Sequence, residues 1–382
     1  MELNCEVCIV GSGVIGLSIA YQLAVSDPGQ EKKIVVMDAT LPGAASWAGA
    51  GILPPPTKQS THDPLERLQQ LSLQMMPKWS SDLLQLTGID NQYQACGGFY
   101  LAKSAGEFAA LIGLKGFWED VGIEFRTRTV DQLQTLEPWV AGQLKADDYR
   151  LIAEIPGETQ LRNPRHLLAL RAACQLLGVQ FFAMTQDQAN DLQLSDDRRV
   201  LEVGRGARVR CNQVVVAAGS WTSRILQRWL GNKEPVVSVF PVKGEMLLFK
   251  TPQPMFRSVI NVGTRYFVPR LDGHVLVGST EDEVGFATQA TQAAKSDLLA
   301  LVDDVLPDLR QFPLLQHWVG FRPASFDQTP TIGRVKSCPN MVVATGHFRS
   351  GIQWSIGTAI CVAAILRNET PPLDLRVFQP GR

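Results

Sequence analysis

The chain opens on an apolar run, Val7-Cys8-Ile9-Val10, which with Cys5 predicts a strand over Cys5–Val10. A glycine turn at Gly11–Gly13 follows, then helical spacing from Val14 to about Val25 and a second apolar run at Ile34–Met37. By length and pattern this is a βαβ unit. Residues 41–58 are rich in Gly, Ala and Pro and end in Pro54-Pro55-Pro56, so regular structure should stop there. Helical spacing returns over 64–87 (Leu65, Leu68, Leu71, Met75). A strand is expected at 97–103 and a helix at 105–122. Another helix should start near Arg162-Asn163-Pro164 and run to about Leu177, followed by a strand at Val179–Ala183. Val214-Val215-Val216-Ala217-Ala218-Gly219 reads as a strand buried on both faces.

Beyond that point the pattern becomes β-rich. Val236–Lys250, Arg265–Arg270 and His274–Ser279 read as strands, with Asp272-Gly273 a hairpin signal between the last two. A helix is expected at Thr291–Val305, a strand at Met341–Ala344, and a closing helix from about Gly351. Nucleotide-type α/β segments thus occur at the start, middle and end, with a helical and a β-rich insertion between them. This predicts two interleaved domains in a chain of 382 residues, a length that suggests roughly two domains.

Composition narrows the class. Apolar residues make up 45% of the chain, mean hydropathy is +0.00, and 36 Lys and Arg balance 37 Asp and Glu. A net charge of −1 without basic runs gives no electrostatic footprint for nucleic acid. The longest apolar stretch, Ile352 to Leu366, is interrupted by Gln353, Ser355 and Thr358. It falls short of the roughly 18 residues a membrane span requires, so a buried helix and no transmembrane segment are expected. Seven scattered cysteines, an odd number, suit a reducing, cytoplasmic compartment. Met1-Glu2-Leu3-Asn4 lacks the basic start of a secretory leader. Cys5 and Cys8 form a C-x-x-C, but on a strand they read as core thiols. Five dispersed histidines without H-x-x-x-H spacing predict no metal site, and no G-x-S-x-G nucleophile elbow occurs.

The candidate chemistry begins with Gly11-Ser12-Gly13-Val14-Ile15-Gly16. This G-x-G-x-x-G lies between a predicted strand and a predicted helix, the setting in which it binds a dinucleotide. Gly11 permits the turn, Gly13 lets the backbone approach a pyrophosphate, and Gly16 lets the helix pack on the strand. Phosphates then meet free N–H groups at the positive end of the helix dipole. Asp38 ends the second strand, where an acid can hold an adenosine ribose. The fingerprint does not separate FAD from NAD. The small residues Gly43-Ala44-Ala45-Ser46-Trp47-Ala48-Gly49-Ala50-Gly51-Ile52 suit a bulky flavin lying against backbone; the alternative is a close-packed loop.

Five segments in this order carry a resemblance: the fingerprint, the small-residue loop, Val215-Val216-Ala217-Ala218-Gly219-Ser220-Trp221, Pro241-Val242-Lys243-Gly244-Glu245 and Gly346-His347-Phe348-Arg349-Ser350-Gly351-Ile352. Together with Gly320-Phe321-Arg322-Pro323 they resemble the D-amino-acid-oxidase-like FAD-dependent oxidoreductases along essentially the whole chain. Within that family the chain is most similar to the glycine oxidases of the thiamine-biosynthesis type. The resemblance implies an α/β fold with a Rossmann-type, glutathione-reductase-like FAD-binding domain. That domain would be discontinuous, over 1–76, 151–228 and 325–382. It would be interleaved with an α+β substrate domain, over 77–150 and 229–324, with a mainly antiparallel sheet.

The resemblance also implies non-covalent FAD. Ser325-Phe326-Asp327 follows the arginine motif where covalently flavinylated relatives carry a cysteine. Residue by residue it assigns Gly11, Gly13, Val14, Ile15 and Gly16 to the fingerprint and Asp38 and Ala39 to the adenosine end. Ala45, Ser46, Ala50, Gly51 and Ile52 would lie along the pyrophosphate and ring, Asp187 would contact adenine through its backbone, and Gly219 would join the cofactor site. His347, Phe348, Arg349, Ser350, Gly351, Ile352 and Gln353 would lie under the flavin pyrimidine. Arg322 matches the arginine that binds the substrate carboxylate, Tyr266 a tyrosine near it, and Arg349 a further substrate-side residue. Trp47, and Gln353-Trp354-Ser355, depart from the family pattern and are expected to alter pocket size.

A planar guanidinium holds a carboxylate by two parallel charge-assisted hydrogen bonds, which suits Arg322. The implied reaction is hydride transfer from an amino-acid Cα to flavin N5. The imine then hydrolyses to an oxo acid and ammonia, with O₂ reduced to H₂O₂. No general base is assigned. The first helical turn after Ser350 is expected to face the flavin with its positive dipole end. Two readings remain beside this one: a dehydrogenase that passes electrons to a quinone or protein, and a non-catalytic flavin-binding protein. The resemblance also suggests a homo-oligomer such as a tetramer.

Overall fold

A computed structural model describes all residues except 1, 27–32, 40, 59–61, 184, 186–190, 197–198, 205–207 and 232–236. The first apolar run forms the strand Glu2–Val10, the helix Val14–Ser26 follows, and Ile34–Asp38 pairs parallel to the first strand. Gln180–Ala183 extends this sheet on one side. Arg208–Val216 and then Cys338–Thr345 extend it in parallel on the other. Leu192–Leu194, Val200–Val203 and Thr331–Val335 add antiparallel neighbours.

The central strands read as continuous apolar runs because both faces are covered. On one face Val7, Ile9, Ile34, Val36, Val215 and Val342 pack under the helices Val14–Ser26, Pro64–Thr87, Asn163–Leu176 and Gly351–Leu366. On the other, Cys8, Val10, Val35, Met37, Val214, Val216 and Val343 meet Ile225, Leu226 and Trp229 of the helix Thr222–Leu230. All seven cysteines are buried and none is in a disulfide, and Cys5 and Cys8 pack in this second layer as core thiols. The closing apolar stretch is the buried helix Gly351–Leu366, and no described helix is long and apolar enough to cross a membrane.

The helix Pro64–Thr87 is capped at its start by Asp63, whose side chain accepts from Leu65 N–H (2.8 Å) and Glu66 N–H (3.1 Å). Pro77 lies in its interior, a defect worth about 3 kcal/mol. The helix continues because Leu68, Leu73, Met76, Trp79 and Leu83 are buried on one side, each contributing about 1.5–3 kcal/mol.

The β-rich insertion forms a second sheet. Its order is Leu314–Ala324, Phe240–Lys250, His274–Gly278, Arg265–Pro269, Val259–Val262, Gly98–Ala102, Leu151–Ile155 and Arg126–Arg128. Only the Val259–Val262 and Gly98–Ala102 pair is parallel. Asp272-Gly273 turns the expected hairpin, with Gly273 at φ +81° and Arg270 N–H donating to His274 O at 2.8 Å. The helix Gln292–Val305 covers this sheet through Leu298, Leu301 and Val302.

Two expected boundaries move. Leu151–Ile155 pairs within the second sheet, although 151 was expected to begin a cofactor-domain stretch. An apolar run carries no mark of the sheet it joins. The helix Pro64–Thr87 also runs straight through the expected break after 76. A small third sheet of Ile52–Leu53, Thr159–Gln160 and Gln94–Ala95 was missed because two-residue strands leave no periodicity.

Candidate active site

A cavity of about 710 Å³ opens where the parallel strands of the first sheet end, lined by Val10, Ala217, Ala344 and Thr345. This is the carboxyl edge, where open α/β sheets bind their ligands. The second sheet closes the far side through Gly244, Met246, Tyr266, Gly320 and Arg322.

The fingerprint occupies the near end. Gly11 stands at φ +116°, and Gly13, Val14 and Ile15 line the cavity with it. Gly16 lies behind them. A Cβ on it would come 1.9 Å from Gly11 O, so it shapes the turn without lining the cavity. Asp38 and Ala39 also line this end. The Asp38 carboxylate pairs with Arg171 Nη1 at 2.6 Å, and that guanidinium lies 4.2 Å from the Phe181 ring centre. Arg171 lines the cavity and was missed, since a helix-surface arginine looks solvated in sequence. Asp187 lies outside the described residues.

The small-residue loop forms one wall, with Ala45, Ser46, Ala50, Gly51 and Ile52 all lining it. Ser46 Oγ accepts from Val14 N–H at 3.0 Å, which joins the loop to the helix start. Two further residues hold the loop, and neither was anticipated. Asn163, 1% exposed, lines the cavity and donates to Ser46 O at 3.3 Å. Its Oδ1 is buried with no partner among the described residues. Buried Arg270 donates to Gln160 Oε1 (2.7 Å), Leu161 O (2.9 Å) and Ala50 O, and burial brings its pKa down to about 10. Arg162-Asn163-Pro164 announced a helix start, but nothing local showed that Asn163 would reach this loop.

The segment before the last helix supplies another wall. His347, Phe348, Arg349, Gly351, Ile352 and Gln353 line the cavity; Ser350 does not, and its N–H donates to His347 O at 2.8 Å. The helix begins at Gly351, so its N-terminal turn meets the cavity. Gly219 lines it from the end of the strand Arg208–Val216. His347 is 1% exposed and its Nε2 shares a hydrogen bond with Thr358 Oγ1 at 3.0 Å. Burial takes its pKa down to about 3, so the imidazole is neutral. The two tryptophan departures separate. Trp47 lines the cavity while 54% exposed; Trp354 is buried in the helical core and does not line it.

At the far end, Arg322 stands on the strand Leu314–Ala324 opposite Val242. Gly244 on the paired strand makes room for it: a Cβ there would lie 2.4 Å from Arg322 Nη1. Arg322 donates to Thr280 O (3.1 Å) and Ser279 Oγ (2.6 Å). Tyr266 hydroxyl also reaches Ser279 Oγ, at 3.2 Å, so Ser279 joins the two expected residues. Burial lowers the Arg322 pKa, and among the described residues no carboxylate forms an ion pair with it. Arg349, by contrast, pairs with Glu281.

The residues present fit FAD. The near end offers glycine backbone, a helix start and an acid. Besides Arg322 and Arg349, the cavity is lined by two further cations, Arg171 and Arg224, and by Asn163 with its orphaned amide acceptor.

The comparisons with known proteins agree. The family described as FAD dependent oxidoreductase (DAO) matches residues 6–365. The glycine oxidase of Pseudomonas aeruginosa is 29% identical over 380 residues, covering 98% of each chain. A bifunctional protein ThiO/ThiG of Trichormus variabilis is 27% identical over 96% of this chain and 54% of its own length. The crystal structure of glycine oxidase from Geobacillus kaustophilus superposes with a TM-score of 0.88 at 28% identity, covering 100% of this chain and 99% of that one.

Proposed function

The chain belongs to the DAO family of FAD-dependent oxidoreductases, and from that membership we propose that it is an amino-acid oxidase acting on glycine, sarcosine or a small D-amino acid. The observation that carries the substrate class is Arg322. Its half-buried guanidinium faces a cavity and meets only neutral acceptors, so an incoming carboxylate completes its charge. Ser279 and Tyr266 place two hydroxyls beside it.

Bound at the glycine-lined end, the flavin would supply the two-electron oxidation of the substrate Cα–N bond, with O₂ reduced to H₂O₂ and one water consumed to give an oxo acid and ammonia, or methylamine from sarcosine. The chain's own residues bind and orient. Arg322 fixes the carboxylate, and with it the Cα hydrogen, while the flanking apolar side chains keep water from the pair. Among the described lining residues the only acid is Asp38, paired with Arg171, and the only imidazole is the neutral His347. Neither serves as a base, so the amine arrives neutral. Consequently kcat/KM rises with pH toward the substrate's own amine pKa, and His347→Gln keeps that profile. The likeness to bifunctional ThiO/ThiG proteins over about half their length supports a thiamine-linked role.

The test is an anaerobic titration of the yellow holoprotein with glycine, sarcosine and D-alanine. Loss of the visible flavin bands with at least one of them is expected; unchanged bands with all of them overturn the reading. Peroxide formed on readmitting air marks an oxidase, and its absence a dehydrogenase.

A further inference from the structure

Two guanidiniums enter the substrate end, and consecutive residues hold them. Thr280 O accepts from Arg322 at 3.1 Å, and the next residue, Glu281, pairs its carboxylate with Arg349. The backbone brings the arginines together. Phe348 N–H donates to Pro323 O at 3.0 Å, so the residue before Arg349 is bonded to the residue after Arg322. Both arginines line the same cavity. They differ in one respect: Arg322 meets neutral acceptors, whereas Arg349 meets an anion.

Glu281 is held in place on both sides. Before it, Thr280 Oγ1 accepts from Glu245 N–H at 3.0 Å. After it, Asp282 and Lys243 exchange two backbone hydrogen bonds of 2.9 Å. Further on, Phe286 packs against Trp221 and Phe321 with ring centres 5.0 and 5.4 Å apart. The carboxylate is therefore presented to Arg349 by an anchored segment.

We propose that Glu281 determines specificity by neutralising Arg349, so that of the two arginines at the substrate end only Arg322 is left without an anion, and the site selects monocarboxylic over dicarboxylic amines. This rests on the reading of Arg322 as the carboxylate clamp. A substrate with a single carboxylate satisfies Arg322 and leaves the Glu281–Arg349 pair intact. A second carboxylate that approaches Arg349 finds that guanidinium already paired with Glu281, a like charge, and is rejected by repulsion. Without the Glu281 charge, Arg349 becomes a second anion site and the preference relaxes.

The experiment compares holoenzyme with Glu281→Gln, using acetate and malonate as ligands read by perturbation of the visible spectrum, and glycine and iminodiacetate as substrates. In the variant, malonate binding should tighten about tenfold more than acetate binding. The kcat/KM ratio of iminodiacetate to glycine should rise by a similar factor, carried by KM. Glu281→Asp should retain the wild-type preference, and Arg349→Met in the Glu281→Gln background should abolish the gain. Equal changes for mono- and dicarboxylates, or a gain that survives loss of Arg349, overturn the role of Glu281. A wild-type protein that binds neither acid and is bleached by no amine overturns the clamp as well.

Discussion

The two ends of the cavity are built by different means. The near end is backbone: six consecutive residues, Gly11 to Gly16, set its turn, and two of them lack the space for even a Cβ. The far end is side chains drawn from separate strands and loops: Tyr266, Arg322 and Arg349 line it, and Ser279 and Glu281 are bonded to them. A backbone site demands one geometry and fails as a whole. A side-chain site has separable members, so its affinity and selectivity can be altered without losing the fold.

The strongest way to break this contrast is at Gly16. Gly16→Val places a branched side chain where a Cβ would already lie 1.9 Å from Gly11 O. The turn must move, at a cost of more than about 4 kcal/mol. The expected result is insoluble or colourless protein, read from the ratio of visible to ultraviolet absorbance. Soluble, fully yellow Gly16→Val would show that the near end tolerates repacking.

At the far end, Arg322→Met should leave yellow protein with a nearly unchanged melting temperature. Its kcat/KM should fall by about 10²–10³, corresponding to a lost charge pair of about 3–4 kcal/mol. Arg322→Lys keeps the charge but not the planar fork and should recover only part of the loss. A fall in FAD content that parallels the fall in turnover would mean that the two ends are not separable.

The same contrast explains what could be read in the chain. Gly11–Gly16 and the loop around Gly51 were legible because steric demands at such sites dictate glycine or a small residue locally, and Asp38 because an acid ends the second strand of that unit. Arg322, Tyr266 and Arg349 were legible only through their motifs. Their pairing through Ser279, and the Glu281 contact, depend on strand registers that no local pattern states. Arg171, Asn163 and Arg270 escaped for the same reason: each acts across more than a hundred residues of sequence, on Asp38, Ser46 and Ala50. The strand Leu151–Ile155 shows the limit for the fold, since its apolar pattern fits either sheet equally well.

The second sheet has a polar core of its own, away from the cavity, which gives a further test of separability. Fully buried Glu158 accepts from the Tyr100 hydroxyl (2.5 Å) and Asn261 Nδ2 (3.3 Å). Burial pushes its pKa up from 4.5 to about 7 despite these two bonds. The folded protein therefore holds this proton between about pH 4.5 and 7 while the unfolded chain releases it, so stability falls as pH rises through that window. The loss amounts to at most about 3 kcal/mol. Urea midpoints of the holoprotein at pH 5 and pH 8 should show it. Glu158→Gln should flatten the difference with little effect on KM for the amino acid.

The smallest effect is expected at Asp38, where the near end does use a side chain. Among the described residues its carboxylate is the one acidic group lining the cavity, and it is already held by Arg171. Asp38→Asn removes the charge but keeps an acceptor of the same shape. The loss should be one charge-assisted hydrogen bond, about 1–2 kcal/mol, or roughly a tenfold weaker hold on FAD. Fluorescence titration of stripped protein with FAD measures it, and excess FAD should restore colour to Asp38→Asn though not to Gly16→Val. If Asp38→Asn instead loses the cofactor altogether, the near end depends on this ion pair as much as on its glycines, and the division between a backbone end and a side-chain end no longer holds.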